Sequence, residues 1–152
     1  MEKDILLLCP VFKERIWGGG RLRSDFGYDV PDDHIGECWA ISAHPEGDCT
    51  VVSGQFEGYR LSELWETRRD LFGNAEGERF PLLIKIIDAM DDLSIQVHPD
   101  DEYARRYENG SLGKTECWYV LDCKADATIV IGHNAKDRAQ AREMITRKQW
   151  DG

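Results

Sequence analysis

Apolar and polar positions alternate most clearly in the middle of the chain. Residues 81–90 (PLLIKIIDAM) are nearly all apolar and contain three isoleucines, a composition typical of a buried strand. Residues 93–98 (LSIQVH) alternate, which predicts a second strand joined to the first by a tight turn at two aspartates. Pro99 ends this strand because it has no backbone N–H, and the acidic residues after it predict a short helix to about Tyr107.

The rest of the chain predicts shorter elements around this centre. Four further strands are predicted, at residues 36–43, 49–52, 115–123 and 127–132. The second of these is expected to pair with the first across a turn that contains Pro45 and Gly47. Two further helices are predicted, at residues 61–71 and 137–150, the latter with Trp150 facing inward. The elements indicate a mainly β sandwich or barrel with a few helices, and the 152 residues fit a single domain, 1–152.

Composition and charge exclude several classes of protein. Apolar residues make up 41% of the chain and aromatic residues 10%, which indicates a folded protein rather than a disordered one. The net charge of −10 argues against nucleic acid and anionic membranes as partners, because both are bound through basic surfaces. The apolar stretch Ile5–Leu8 is too short to span a membrane or to form the core of a signal peptide. An anionic substrate would therefore depend on a few local lysines or arginines.

The five cysteines point to a reducing compartment. Their number is odd and no two have the C-x-x-C spacing, so neither a zinc ribbon nor a disulfide framework is expected. Buried cysteines of this kind behave as small apolar residues. The sequence therefore predicts a cytoplasmic protein.

Polar side chains interrupt the predicted strands at a few positions. Gln96 and His98 are two residues apart and share one face of their strand. Lys114 and Glu116 share a face in the same way, and Lys85 stands alone within its apolar run. Burying such groups without partners is costly, so each is expected to meet another polar group or a cavity.

These residue types allow a metal site. Gln96, His98 and Glu116 supply two oxygens and one imidazole, which would suit zinc together with a further ligand. The spacing alone leaves alternatives open, since a histidine at a strand end is more often structural and a lysine such as Lys85 or Lys114 more often lies at the surface. The glycines at 18–20 lack the G-K-S/T that a nucleotide phosphate loop requires.

Five segments carry a family resemblance. They are PVFKERIWGG (10–19), GECWAISAHPEG (36–47), RFPLLIKIIDA (79–89), LSIQVHPDD (93–101) and GKTECWYVLD (113–122). Taken in order, they resemble the short bacterial form of the type I phosphomannose isomerases (mannose-6-phosphate isomerases), which belong to the cupin superfamily. The resemblance implies a cupin-like double-stranded β-helix or jelly-roll barrel. It also implies a zinc enzyme that interconverts mannose 6-phosphate and fructose 6-phosphate through an enediol.

The resemblance also assigns residues. The family's zinc ligands fall on Gln96, His98 and Glu116, and its lysines on Lys114 and Lys85, for which catalytic roles are expected. Two further positions, Trp17 and Glu37, fall in motifs typical of the substrate pocket. Trp39 lies in the same motif as Glu37, and core packing remains an alternative for both tryptophans.

The family's pattern extends beyond this sequence. Its later part carries a second histidine ligand, the remaining barrel strands, and a tyrosine and an arginine that serve the substrate. We therefore expect residues 1–152 to form the N-terminal part of an incomplete barrel whose activity is lost or impaired. The alternative is a non-catalytic, metal- or sugar-binding cupin fragment. In either case, exposed barrel edges are expected to favour a homo-oligomer. A purely structural β-domain is a third hypothesis.

Overall fold

The computed structural model describes residues 5–31 and 34–149. The chain divides into two compact units, Met1–Leu93 and Ser94–Gly152. The inward-facing position predicted for Trp150 lies outside the described residues.

All six strands of the described chain lie in the first unit. They are β1 (Leu8–Cys9), β2 (Val11–Gly19), β3 (Ile35–His44), β4 (Gly47–Asp48), β5 (Thr50–Val51) and β6 (Leu83–Ile87). An antiparallel sheet joins β2, β3 and β4, and β6 pairs with the other edge of β3. β1 and β5 form a separate antiparallel pair. The central position of β3 gives it a neighbour on each side, and its side chains lie between those of β2 and β6.

One face of this sheet covers an apolar core. Ile35 and Cys38 of β3 pack with Leu22 and Val30, and further apolar side chains complete the cluster, namely Phe12, Tyr28, Ala40 and Ile86. A second cluster forms around Val51, Phe56 and Leu64. Because strand side chains alternate, Glu37 and Trp39 point away from Cys38 to the opposite face of β3.

The first unit's helices follow the predicted pattern with one interruption. The segment predicted as a helix at 61–71 forms α2 (Leu61–Thr67), followed by a 3-10 turn at Arg69–Phe72. Arg68 separates the two pieces because its backbone, at φ −134° and ψ 56°, is not helical. Gly73 ends the turn in the left-handed conformation, which is common for a glycine that follows a helix. A shorter helix, α1, spans Arg21–Ser24 and precedes α2 in the chain.

Two helices of the second unit begin at aspartates. Asp100 accepts a hydrogen bond from the Tyr103 N–H at 2.8 Å and opens α3 (Asp101–Tyr107). Asp137 accepts one from the Gln140 N–H at 2.8 Å and opens α4 (Arg138–Arg147). Both helices were predicted, and in each the aspartate side chain satisfies a backbone N–H that the helix leaves unpaired.

The predicted strands of the second unit are not formed. Residues 93–98, 115–123 and 127–132 are all described, and none of them is a strand. A strand requires a hydrogen-bonded partner, and apolar alternation does not supply one. The apolar side chains of these segments are exposed, with Val97 at 92% and Tyr119 at 88%. A short turn lies between the last two of these segments, where the Ala127 N–H donates to the Lys124 carbonyl.

The pairing predicted for residues 49–52 is also wrong. Gly47 and Asp48 pair with the end of β3, whereas Thr50 and Val51 pair with β1. The Cys49 N–H still donates to the Ser42 carbonyl of β3 at 2.8 Å, so the chain leaves the larger sheet after Cys49. The central prediction at 81–90 is confirmed in part, since β6 occupies its inner five residues.

Candidate functional site

A polar cluster lies on the face of the sheet opposite the apolar core. It consists of Lys13, Arg15, Glu37, Trp39 and Lys85, and we call it the Trp39 cluster. Lys13 is the register partner of Glu37 across β2 and β3, and Lys85 is the partner of Trp39 across β3 and β6. Register therefore brings basic residues from both neighbouring strands to the same face of β3.

One oxygen of Glu37 is the centre of this cluster. Its Oε2 accepts from the Trp39 indole at 2.7 Å and from Arg15 Nη2 at 3.0 Å, and Lys85 Nζ lies 3.4 Å away. The Glu37 side chain is only 10% exposed, so these donors replace much of its hydration. Lys85, which lies within an apolar strand, thus has Glu37 as a partner of opposite charge.

The charges of the cluster keep Glu37 ionised. Burial raises the pKa of this carboxyl, but the Trp39 hydrogen bond and the positive charges of Lys85 and Arg15 outweigh burial and lower it below its ordinary value. Glu37 is therefore a carboxylate at neutral pH, although it lies on a largely buried face.

Two lysine ammonium groups lie close to the Trp39 ring. Lys13 Nζ lies 4.7 Å and Lys85 Nζ 4.9 Å from the ring centroid, within the range of a cation–π interaction. The Lys13 ammonium also donates to the backbone carbonyl of Glu46. A Cβ at Gly47 would lie 2.7 Å from the indole, so this glycine leaves room for the ring. Trp39 thus packs as a buried side chain and also takes part in the polar contacts of the cluster.

A bulge at Gly36 makes room for Trp17 and Arg15. Lys13 pairs with Glu37 but the next residue, Glu14, pairs with Ile35, so Gly36 is an extra residue in β3. A Cβ at this position would lie 2.5 Å from the Trp17 ring and 2.7 Å from Arg15 Cβ. The predicted pocket residues Trp17 and Glu37 are therefore both placed by this bulge, one packed over Gly36 and the other directly after it.

Replacing Gly36 with alanine is expected to displace Trp17 and Arg15 and to lower the free energy of unfolding by about 1–3 kcal/mol, the usual range for overpacking. Urea unfolding of the natural protein measures the loss as a lower transition midpoint. An unchanged midpoint would show that Trp17 and Arg15 do not need the space that this glycine provides.

A second polar cluster lies in the second unit and consists of His98, Lys114 and Glu116; we call it the His98 cluster. His98 Nε2 lies 2.7 Å from Glu116 Oε2, and Lys114 Nζ lies 3.0 Å from the other oxygen of the same carboxylate. The backbone N–H of Lys114 donates to the Pro99 carbonyl at 3.1 Å, which ties the two segments together beside His98. Both carboxylate oxygens of Glu116 thus have a partner.

These contacts keep Glu116 ionised. Burial raises the pKa of its carboxyl, but hydrogen bonds from His98, Lys114 and Trp118 outweigh burial and lower the pKa to about 2. An ionised carboxylate beside an imidazole nitrogen is a combination that zinc sites use.

The residues fit the implied zinc ion by donor type. His98 Nε2 and Glu116 Oε2 lie side by side, and Gln96, two residues before His98, adds an amide oxygen; its amide nitrogen donates to Ser94 Oγ at 2.9 Å. Within residues 5–31 and 34–149, no group of three His, Cys, Asp or Glu side chains could hold a metal ion. A third ligand from this part of the chain would therefore have to be of another type, such as the Gln96 amide. The structure thus brings together His98, Lys114 and Glu116, and separately Glu37 and Lys85.

Lys13 and Arg15 were not predicted as site residues. Their positions two apart on β2 place them near one another, but their relation to Glu37 depends on the register with β3 and on the bulge. The only sequence signal was the motif PVFKERIWGG, which contains both.

Comparison with solved structures shows that the chain has a cupin-type fold. The chain superposes on the crystal structure of the mannose 6-phosphate isomerase from Bacillus subtilis with a TM-score of 0.93 and 54% identity, over 97% of this chain and 47% of that one. A mutant of phosphomannose isomerase from Salmonella typhimurium shares the fold at a TM-score of 0.54 and 23% identity, over 68% of this chain and 29% of that one. The predicted fold class is thereby confirmed, although the strands described here do not close into a barrel.

The chain belongs to the type I phosphomannose isomerase family, whose catalytic-domain model matches residues 5–121. Mannose-6-phosphate isomerase ManA of Bacillus subtilis (strain 168) is 57% identical over 99% of this chain and 48% of its own length. The mannose-6-phosphate isomerase of Streptococcus mutans is 51% identical over 96% of this chain and 46% of its own. The chain thus spans about half the length of these relatives.

Proposed function

We propose that the natural protein containing this sequence interconverts mannose 6-phosphate and fructose 6-phosphate as a zinc-dependent isomerase. The observation that carries this proposal is the His98 cluster, in which an imidazole, a carboxylate and an ammonium group meet within a family of isomerases. Gln96, His98 and Glu116 would hold the ion. When bound, zinc supplies a Lewis acid that stabilises negative charge on oxygen.

The reaction assigns a role to the lysines. Aldose–ketose isomerisation moves a proton between adjacent carbons through an enediol, so negative charge develops on a sugar oxygen. Lys114 Nζ lies 3.0 Å from Glu116 Oε1, and an ammonium group beside the developing charge would stabilise it. Lys85, held by Glu37, supplies a second cation for the anionic substrate. Trp17 and Glu37 would contribute to the wall of the pocket.

A coupled isomerase assay with zinc analysis tests the proposal. We expect the complete natural protein to bind zinc and to convert fructose 6-phosphate, and residues 1–152 alone to be inactive or impaired. Bound zinc without turnover in the complete protein would contradict the enzyme and favour the alternative, a metal- or sugar-binding cupin.

Residues 1–152 alone are expected to associate. The second unit exposes apolar side chains in segments outside its helices, including Tyr119 at 88% and Ile131 at 84%, and exposed apolar surface of this kind favours association with a second copy. Sedimentation velocity measures the oligomeric state. A monomer at all concentrations would contradict the proposed homo-oligomer.

We further propose that the protein acts in the cytoplasm, on a sugar phosphate, without nucleic acid or membrane partners. The five cysteines are free thiols, which suits a reducing compartment. The helices of the described chain include none that is long and apolar enough to cross a membrane.

A further inference from the structure

Two segments of the second unit lie side by side at the His98 cluster. Residues 98–101 lead into α3, and residues 113–116 follow it after a turn. Three contacts join the segments in antiparallel order, namely Asp101 with Gly113, Pro99 with Lys114, and His98 with Glu116. The contact between the two proposed zinc ligands is therefore the last of a series that begins at the first residue of α3.

The first contact of this series is made by the Asp101 side chain. Its Oδ1 accepts the backbone N–H of Gly113 at 2.7 Å, a distance typical of a hydrogen bond to a charged group. The cap of α3 is made by the preceding residue, because Asp100 accepts the Tyr103 N–H. The hydrogen bond of Asp101 thus ties the start of the helix to the segment that returns after it.

Gly113 allows this close approach because it has no side chain. A Cβ at this position would lie 2.6 Å from the Asp101 nitrogen and 2.7 Å from the Asp100 carbonyl carbon. Both are backbone atoms, which no side-chain rotation can move away. The next residue continues the alignment, since the Lys114 N–H donates to the Pro99 carbonyl at 3.1 Å.

From these contacts we propose that Asp101 is a positioning residue that brings Glu116 into contact with His98. The two proposed ligands are 18 residues apart in the sequence, so their meeting costs chain entropy. Asp101 and Gly113 lie between them and are 12 residues apart, so their hydrogen bond closes most of this loop. The effect on zinc rests on the proposed function, because ligands that are already in place lose less entropy when the ion binds.

The zinc affinity of the complete natural protein, measured by competition with a chelator, tests this role. We expect Asp101→Ala to weaken zinc binding about tenfold, as does the loss of other groups that orient metal ligands. Gly113→Ala should weaken it in the same way, because its methyl group would push the two segments apart. Asp101→Asn keeps a side-chain oxygen that can accept the Gly113 N–H, so it should restore most of the affinity.

Glu102→Ala is the matched control. It removes an exposed negative charge from the same turn of α3 and should bind zinc like the wild type. Unchanged zinc affinity in a folded Asp101→Ala variant overturns the positioning role. Equal losses in Asp101→Ala and Asp101→Asn also overturn it, because the charge rather than the hydrogen bond would then be responsible.

A double-mutant cycle tests the role without the metal, so it decides the matter even if the protein binds no zinc and the proposed function fails. Urea unfolding of the zinc-free natural protein measures the effect of His98→Ala with and without Asp101→Ala. We expect His98→Ala to lower the midpoint less in the Asp101→Ala background, because its contact with Glu116 is already weakened there. Additive losses would overturn the positioning role, even in an active isomerase.

Discussion

Replacing His98 with alanine is expected to remove zinc from the natural protein and to lower kcat/KM by about a thousandfold. The ring nitrogen of His98 lies 2.7 Å from Glu116 Oε2, so the substitution removes one of two adjacent donor atoms. A Lewis acid contributes several kcal/mol to stabilising negative charge in the transition state, which corresponds to a loss of about this size. Metal analysis and the coupled assay measure the two effects separately.

His133→Ala is the matched control for this substitution. His133 lies in the same unit, and its Nδ1 accepts the Ala135 N–H in an exposed turn. It should retain both zinc and activity. Full zinc occupancy in His98→Ala would refute the assignment of His98 as a ligand, and equal losses in both variants would indicate a general effect on folding.

Replacing Glu37 with glutamine is expected to lower the free energy of unfolding by about 2 kcal/mol at neutral pH. The substitution leaves Arg15 and Lys85 without their shared charge partner on a mostly buried face. The full cost of breaking a buried ion pair is larger, but the Arg15 side chain is 37% exposed and retains part of its hydration. The shift of the urea midpoint measures the loss.

The difference in the free energy of unfolding between the wild type and Glu37→Gln should become smaller at acidic pH. The pKa of Glu37 in the folded chain is lower than its ordinary value of 4.5, so the unfolded chain takes up a proton first as the pH falls. The contribution of the carboxylate to stability is therefore fully present above pH 4.5 and decreases below it. Unfolding of both proteins across this range should show the wild type approaching Glu37→Gln.

Glu14→Gln is the control for Glu37→Gln. Glu14 is exposed on the neighbouring strand, and its contact with Arg15 is made by its backbone carbonyl, which the substitution keeps. Its midpoint should stay near that of the wild type. A difference between Glu37→Gln and the wild type that is constant from neutral pH into acid would show that the lost charge is not the cause.

Elements with local signals were predictable from the sequence. Helices α3 and α4 begin at aspartates whose side chains satisfy the first backbone donors, and Gly73 ends the segment that contains α2. The segments at 115–123 and 127–132 are rich in apolar residues, but a strand depends on a partner elsewhere in the chain. The apolar composition of these segments therefore could not predict whether they pair.

The residues of the candidate site were also predicted only in part from the sequence. The contact between His98 and Glu116 agrees with the family resemblance, which placed both residues in one ligand set. Neither Lys13 nor Arg15 was found, because their approach to Glu37 and Trp39 requires the register between β2 and β3 and the extra residue at Gly36. A single sequence contains no direct signal for either feature.

The sharing of one carboxylate by distant parts of the chain has a kinetic consequence. Glu37 is 22 residues from Arg15 and 48 from Lys85, so its contacts form only when three strands have already come together. Interactions absent from the folding transition state affect the unfolding rate rather than the folding rate. The Glu37 carboxylate would then stabilise the sheet only late in folding. Its loss should raise the unfolding rate and leave the refolding rate nearly unchanged.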